Sequence, residues 1–111
     1  MNVNKLKDLA VDAARQAGDF LNKSKLEKKK IYKEVGRDIK LIIDQDTEKL
    51  IRASLEVTNI PILGEEYGGE ITDERYWVID PIDGTANYFR GLDECCVSIA
   101  LMEGNEALIG V

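Results

Sequence analysis

The sequence predicts an α+β fold in which two helices pack on a mainly antiparallel sheet. Helical periodicity is confined to residues 4–21 and 44–57, whereas the other apolar residues form short runs separated by glycine, proline and charged residues. With 44% hydrophobic residues in a chain of 111, there is enough apolar side chain for the core of one domain.

Composition excludes several classes of function. The net charge of −6 argues against nucleic acid as a partner, because binding to its phosphates needs a basic surface. No apolar run approaches the length of a membrane span, and the N-terminus lacks the apolar core of a secretory signal. The adjacent Cys95 and Cys96 cannot build a disulfide framework, which favours a reducing, cytoplasmic setting. The chain has no histidine, so His-based triads and His-rich zinc sites are excluded.

The first element is an amphipathic helix from Asn4 to Leu21. Its apolar residues recur at steps of three and four: Leu6, Leu9, Ala10, Ala13, Ala14, Ala17, Phe20 and Leu21. A basic cluster follows, made of Lys23, Lys25, Lys28, Lys29 and Lys30. We interpret it as a solvated turn in preference to a surface that attracts an anionic substrate, because charge runs are usually hydrated.

Two strands and a second helix come next. Residues 31–35 and 38–43 alternate as strands do, with Gly36 and Arg37 as the turn between them. Acids crowd the start of the helix from Asp44 to Glu48, where free amides and the helix dipole favour negative charge. The local pattern predicts that Asp44 is the N-cap, and the helix must end before Pro61.

Two apolar strands then end in acids. Residues 60–63 lead into Gly64-Glu65-Glu66, and residues 76–79 lead into Asp80-Pro81-Ile82-Asp83-Gly84-Thr85. Pro81 fixes one backbone angle, and Gly84 allows a conformation that a Cβ would resist. If the two strands are neighbours in the sheet, Glu65 or Glu66 can meet Asp80 and Asp83 around one cation.

The remaining residues complete the sheet. Residues 89–94 form a connection, residues 95–102 a strand, residues 103–106 a hairpin turn and residues 107–111 the returning strand. The apolar run is still in progress at Val111, so we expect the sheet to continue in a longer protein.

Three converging carboxylates repel one another unless a divalent cation neutralises them. Oxygen ligands suit Mg²⁺, and the carbonyl of Ile82 could add a neutral one. The amides of Gly84 and Thr85, at the start of a helix near Ala86, would bind phosphate oxygens. Asp44 and Thr85 could position and deprotonate the attacking water. Together these groups suit hydrolysis of a phosphomonoester.

The segments Gly64–Glu66 and Trp77–Tyr88, with the hexapeptide DPIDGT, resemble the signature of the inositol monophosphatase family of lithium-sensitive, Mg²⁺-dependent phosphatases. The resemblance implies that residues 1–111 are the N-terminal, metal- and phosphate-binding part of a layered αβαβα sandwich. It implies a metal site made of Glu65, Asp80, the Ile82 carbonyl and Asp83. It also implies that Asp44 and Thr85 orient the water, that the Gly84 and Thr85 amides hold phosphate, and that Lys33 lies in a loop near the site.

Members of that family are longer, and their second half supplies a Trp-Asp motif for a second metal. We therefore expect little turnover from residues 1–111 alone, and a homodimer when the full domain is present. The substrate that the resemblance favours is an inositol monophosphate. Fructose 1,6-bisphosphate and 3′-phosphoadenosine 5′-phosphate, substrates of relatives, stay open. An alternative of another class is a non-catalytic module that binds a partner through its sheet edge.

Overall fold

The computed structural model describes residues 1–25, 31–35, 38–71 and 74–111, with the backbone alone for residues 32–35 and 38–40. The elements are α1 (Val3–Ser24), β1 (Ile31–Val35), β2 (Asp38–Leu41), α2 (Ile42–Leu55), β3 (Ile62–Gly64), β4 (Arg75–Asp83), α3 (Thr85–Phe89), β5 (Cys96–Glu103) and β6 (Glu106–Gly110). A 3-10 turn, Glu56–Thr58, follows α2. The predicted Gly36–Arg37 turn, most of the basic cluster and the side chain of Lys33 lie outside the described residues.

The main sheet has four strands in the order β3-β4-β5-β6. The β3 and β4 strands run parallel, and the other two pairings are antiparallel. The β1 and β2 strands form a separate antiparallel pair. The α+β prediction is thus confirmed, with one parallel pairing in the sheet. In the described part of the chain, no helix has the length and apolar content needed to cross a membrane.

The main core lies between the sheet and the first two helices. Alternate residues of β4 and β5 face α1 and α2, because successive side chains of a strand point to opposite faces. The buried members are Leu6, Ala10, Ala13, Ala17, Ile51, Leu55, Trp77, Ile79, Ile99, Leu101 and Ile109. The buried Trp77 indole donates to Thr58 Oγ1 at 3.1 Å, so its polar atom has a partner.

A smaller core fixes α3 against the end of α1. It contains Leu21, Leu41, Ile82 and Tyr88, all buried. The Tyr88 hydroxyl donates to the carbonyl oxygen of Leu21 at 2.8 Å. This second core places the segment after β4 next to the start of α2, where Leu41 lies.

The predicted start of α2 was wrong by two residues. The strand expected over residues 38–43 ends at Leu41, and the helix begins at Ile42. Leu41 occupies the N-cap position, and Asp44 Oδ2 accepts a hydrogen bond from the Leu41 N–H at 2.8 Å. Asp44 is therefore not the N-cap but the third helical residue, where an acid can reach back to the cap amide.

The β4 strand is longer than the predicted residues 76–79, since it runs from Arg75 to Asp83. The register with β5 shifts between Asp80, opposite Ser98, and Asp83, opposite Cys96. This is a β-bulge, in which one extra residue is accommodated and the strand bends. Pro81 is tolerated there because a bulge leaves a residue outside the regular hydrogen-bond ladder.

Candidate active site

The acids that follow β3 and β4 lie at the same edge of the sheet, because the two strands run parallel. Gly64 pairs with Ile79 in the register, so Glu65 and Asp80 are the next residues along the two strands. Glu65 is within hydrogen-bond reach of Asp80. The sequence analysis expected these two acids to meet if their strands were neighbours in the sheet, and β3 and β4 are neighbours.

Asp80 has an unusual electrostatic environment. Burial, followed by the hydrogen bond and charge of Glu65 and the charge of Asp83, raises the pKa of Asp80 to about 7. A hydrogen bond from the Ile82 backbone acts in the opposite direction. The buried Asp80 Oδ1 atom has no hydrogen-bond partner among the described residues.

These residues fit a hard cation such as Mg²⁺. Their donors are carboxylate and carbonyl oxygens, and the Asp80 oxygen described above is buried with nothing to satisfy it. Within the described ranges, no three acidic, cysteine or histidine side chains are already gathered into a metal site. Three carboxylates repel one another when no cation lies between them. Metal binding by Glu65, Asp80, Ile82 and Asp83 stays a prediction.

Asp44 and Thr85, far apart in sequence, are in direct contact. Thr85 Oγ1 is 3.0 Å from Asp44 Oδ1 and 3.0 Å from the Ile82 carbonyl oxygen. Asp44 is 1% exposed, and its other oxygen is held by the Leu41 N–H. The Asp44 carboxylate is thus anchored at one oxygen and presents the other to the Thr85 hydroxyl.

Gly84 forms the N-cap of α3 with a positive φ of 95°. A Cβ at this position would lie 2.8 Å from the carbonyl oxygen of Glu94. The turn therefore requires glycine, as the sequence predicted. The first amides of a helix have no partner inside it, so the Thr85 N–H is a donor at the start of α3.

Two residues of α2 that the sequence interpretation left unused support this edge of the sheet. The fully buried Glu48 accepts hydrogen bonds from the Glu66 and Tyr67 amides, both at 2.8 Å. Arg52 pairs with Glu48 and donates to the Gly68 carbonyl oxygen. Glu66 is thus held through its backbone by Glu48. The available signal was the position of Glu48, which shares a helix stripe with the buried Ile51 and Leu55.

The chain is similar to known proteins in sequence and in fold. The model of the inositol monophosphatase family matches residues 2–111. Nus factor SuhB of Xylella fastidiosa is 41% identical over 103 residues, covering 89% of this chain and 38% of that protein. Inositol monophosphatase of Mesembryanthemum crystallinum is 38% identical over 109 residues, covering 92% of this chain and 40% of that protein. The Thermotoga maritima IMPase structure matches with a TM-score of 0.86 and 32% identity, over 97% of this chain and 43% of that one.

The chain spans about two fifths of the length of these relatives. Its helices and mixed sheet are those of the solved Thermotoga structure. Members of the matched family are generally metal-dependent phosphatases that act on small phosphorylated substrates. With a family match over nearly all of its residues, the chain belongs to the inositol monophosphatase family.

Proposed function

We propose that this chain supplies the metal- and phosphate-binding part of a Mg²⁺-dependent phosphatase. Its substrate is a small phosphate monoester, and inositol monophosphate is the first candidate. The observation that supports this function most directly is the approach of Glu65 to Asp80 at the shared edge of β3 and β4. A structural role does not require acids to be brought together in this way, because their mutual repulsion opposes folding.

The carboxylates of Glu65, Asp80 and Asp83 and the carbonyl of Ile82 would hold the Mg²⁺ ion. When bound, the ion supplies positive charge that neutralises the acids and polarises the phosphate oxygens. The Ile82 carbonyl oxygen is in contact with the Thr85 hydroxyl, so the metal ligands adjoin the water-orienting pair.

Thr85 and Asp44 orient and deprotonate the attacking water in this proposal. A hydroxyl carries one proton, so Thr85 Oγ1 donates to one oxygen at a time and keeps lone pairs that can accept from water. As the water oxygen attacks phosphorus, its proton moves to Thr85 Oγ1, and the hydroxyl proton of Thr85 moves to Asp44 Oδ1. The bond from phosphorus to the ester oxygen breaks, and the departing alcohol takes a proton from solvent.

The amides of Gly84 and Thr85 hold the phosphate in this proposal. The positive φ of Gly84 turns the chain sharply after β4 and leads directly into α3. Backbone amides in such a turn can point at one anion, whose charge they stabilise during transfer. No side chain is needed at Gly84, and none would fit beside Glu94.

The test is Mg²⁺ binding by the 111-residue chain, measured by titration calorimetry, with Asp80→Asn as the variant. We expect this variant to bind Mg²⁺ more than about 100-fold more weakly, since groups that only support a ligand contribute about 10–100-fold. Glu106→Gln, at an exposed position in β6, removes a similar charge and is the control. Unchanged affinity in Asp80→Asn would exclude this metal site.

Phosphate release from a substrate panel tests the reaction. We expect release from inositol monophosphate to exceed release from fructose 1,6-bisphosphate and 3′-phosphoadenosine 5′-phosphate. Since the chain spans about two fifths of its relatives, we expect turnover far below that of a full-length member. Turnover equal to that of a full-length member would contradict the expectation that the second half of such proteins supplies part of the site.

A second candidate is a partner-binding module. It is favoured by one observation, namely that the Xylella fastidiosa relative is named a Nus factor and not a phosphatase. The same Asp80→Asn variant separates the two functions. Loss of Mg²⁺ binding with no change in oligomeric state, measured by light scattering, supports the phosphatase. A change in oligomeric state without loss of Mg²⁺ affinity supports the module.

A further inference from the structure

The turn that carries Glu65 is closed by its own backbone. The Gly64 N–H donates to the Gly68 carbonyl and the Gly68 N–H to the Gly64 carbonyl, both at 2.9 Å. Glu65 lies inside this closed turn, next to Gly64. Its side chain is exposed and reaches Asp80 from this turn. Because the side chain starts from the turn backbone, the groups that hold the turn help to set the position of the Glu65 carboxylate.

Glu48 of α2 holds the turn from inside the protein. Its Oε1 accepts from the Glu66 N–H and its Oε2 from the Tyr67 N–H, both at 2.8 Å, and its side chain is fully buried. Hydrogen bonds between an ionised carboxylate and backbone amides are among the stronger ones in proteins. One buried side chain of α2 thus fixes the two peptide groups that follow Glu65.

Arg52 completes the arrangement from the next turn of the helix. Its Nε is 3.0 Å from Glu48 Oε2, and its Nη2 is 2.6 Å from the Gly68 carbonyl oxygen. The guanidinium therefore neutralises Glu48 and ties down the far end of the turn, which a lysine ammonium could not do in the same geometry. The side chain is 27% exposed, so it is more open to substitution than Glu48.

At the near end of the turn, Gly64 lies close against the Glu48 carboxylate. A Cβ added to Gly64 would lie 2.5 Å from Glu48 Oε1, well inside van der Waals contact. The residue before Glu65 must therefore be glycine if the Glu48 carboxylate is to keep its place. Both ends of the turn and its central amides are thus matched to the Glu48–Arg52 pair.

We propose that Glu48 and Arg52 are positioning residues that hold Glu65 against Asp80 and so prepare the metal site. This inference rests on the proposed function, since it assigns the pair a role toward the same Mg²⁺ ion. Neither residue needs to touch the ion or the substrate. Their effect passes through the Gly64–Gly68 turn.

The test is Mg²⁺ affinity of the Glu48→Gln chain, measured by calorimetry. Glutamine keeps the volume, but its NH₂ group would face an amide N–H or the guanidinium and lose the corresponding hydrogen bond. We expect Mg²⁺ affinity to fall about 10- to 100-fold. Should Glu48→Gln fail to fold, the second variant is Arg52→Lys. It keeps the positive charge but cannot contact both Glu48 and the Gly68 carbonyl as the guanidinium does. We expect this variant to bind Mg²⁺ about tenfold more weakly than the wild-type chain.

Two controls separate positioning from loss of stability. Ile51→Val weakens the core of the same helix without touching the turn, and we expect its folded fraction to keep wild-type Mg²⁺ affinity. In a Glu65→Gln background, Glu48→Gln should cause no further loss of affinity, because its effect passes through Glu65. An equal additional loss in that background would overturn the inference.

A measurement on the wild-type chain needs no variant. We expect the amides of Glu66 and Tyr67 to exchange hydrogen slowly although they lie in a turn, because a buried carboxylate accepts from both. Exchange as fast as in an open loop would overturn the inference. If Asp80→Asn abolishes Mg²⁺ binding and Glu48→Gln leaves the Mg²⁺ affinity unchanged, the positioning role fails alone. If neither variant changes the affinity, the proposed metal site itself fails.

Discussion

Asp80 links the protonation of the site to the stability of the fold. Its pKa is raised to about 7, whereas an aspartate in an unfolded chain has a pKa of about 3.9. Between these values the folded, metal-free protein holds a proton that the unfolded chain has lost. Stability falls with rising pH wherever the folded state binds more protons.

We therefore expect the free energy of unfolding of the metal-free chain to decrease from about pH 4 to about pH 7. Burial also raises the pKa of Glu66, which contributes in the same direction. Urea unfolding in the presence of a chelator measures the slope. Asp80→Asn should flatten the slope in part, while Glu106→Gln should leave it unchanged. A free energy of unfolding that rises across this range would contradict the assignment.

Thr47 is a fully buried residue of α2 whose hydroxyl has no hydrogen-bond partner within the described ranges. Thr47→Val replaces that hydroxyl with a methyl group of similar volume. We expect a stabilisation of about 1 kcal/mol, since a buried polar group without a partner is costly. Chemical unfolding of the two chains measures the difference.

Thr58→Val is the matched control for Thr47→Val. The Thr58 hydroxyl donates to the Leu55 carbonyl at 2.7 Å and accepts from the Trp77 indole at 3.1 Å. Its loss would leave the buried indole N–H without a partner, and we expect destabilisation of about 1–3 kcal/mol. If both variants changed stability in the same direction, hydrogen bonding would not explain the Thr47 result.

At the level of single residues, the sequence singled out the candidate site residues but not the residues that support them. Asp44, Glu65, Asp80 and Thr85 stand in a recognisable pattern at the ends of predicted elements. Glu48 stands in an acid-rich helix start, and its place on the stripe of Ile51 and Leu55 indicates burial but not its hydrogen-bond partners. Its role depends on two amides that reach it only through the tertiary fold, and no local pattern records that contact.

At the level of elements, the turn from β4 into α3 depends on Gly84. Its φ of 95° is unfavourable for residues with a side chain, and a Cβ would lie 2.8 Å from the Glu94 carbonyl oxygen. We expect Gly84→Ala to destabilise the chain by about 2 kcal/mol or more. Thermal or urea unfolding measures this loss.

Gly18→Ala is the matched control for Gly84→Ala. Gly18 lies inside α1, and an added Cβ would meet nothing within 4 Å. Alanine is the better helix former, so we expect a gain of about 0.5–1 kcal/mol. A loss of stability at Gly18 as large as that at Gly84 would show that the backbone conformation is not the cause.

Element boundaries were predictable only where side-chain chemistry marks them. Ile42 and Ile43 continue an apolar run that alternation assigned to a strand, but they form the first turn of α2. A short apolar run is compatible with both the helical and the strand repeat. The hydrogen bond from the Leu41 amide to Asp44, which marks the start of the helix, forms only in the folded chain. The extension of β4 through Pro81 was missed for a similar reason, since the bulge is a property of its pairing with β5.

At the level of the whole molecule, the site depends on one long-range pairing. The sequence showed that two strands end in acids, but not that those strands are parallel neighbours. Had β3 and β4 run antiparallel, Glu65 and Asp80 would lie at opposite edges of the sheet. Strand order depends on the packing of the entire core, including the helices on its face. The homodimer implied by the resemblance likewise stays a prediction, to be measured by light scattering.

Because Glu65 and Asp80 come from separate strands, Mg²⁺ should bind the folded chain far better than the unfolded one. Binding to the folded state alone stabilises it by about 2.7 kcal/mol when the free ion is at 100 times its Kd. We therefore expect Mg²⁺ to raise the melting temperature of the 111-residue chain above that in NaCl of equal ionic strength. The rise should be lost in Asp80→Asn and kept in Glu106→Gln. An equal rise in Asp80→Asn would mean that the ion acts on the surface charge of the acidic chain and not at the joined ends of β3 and β4.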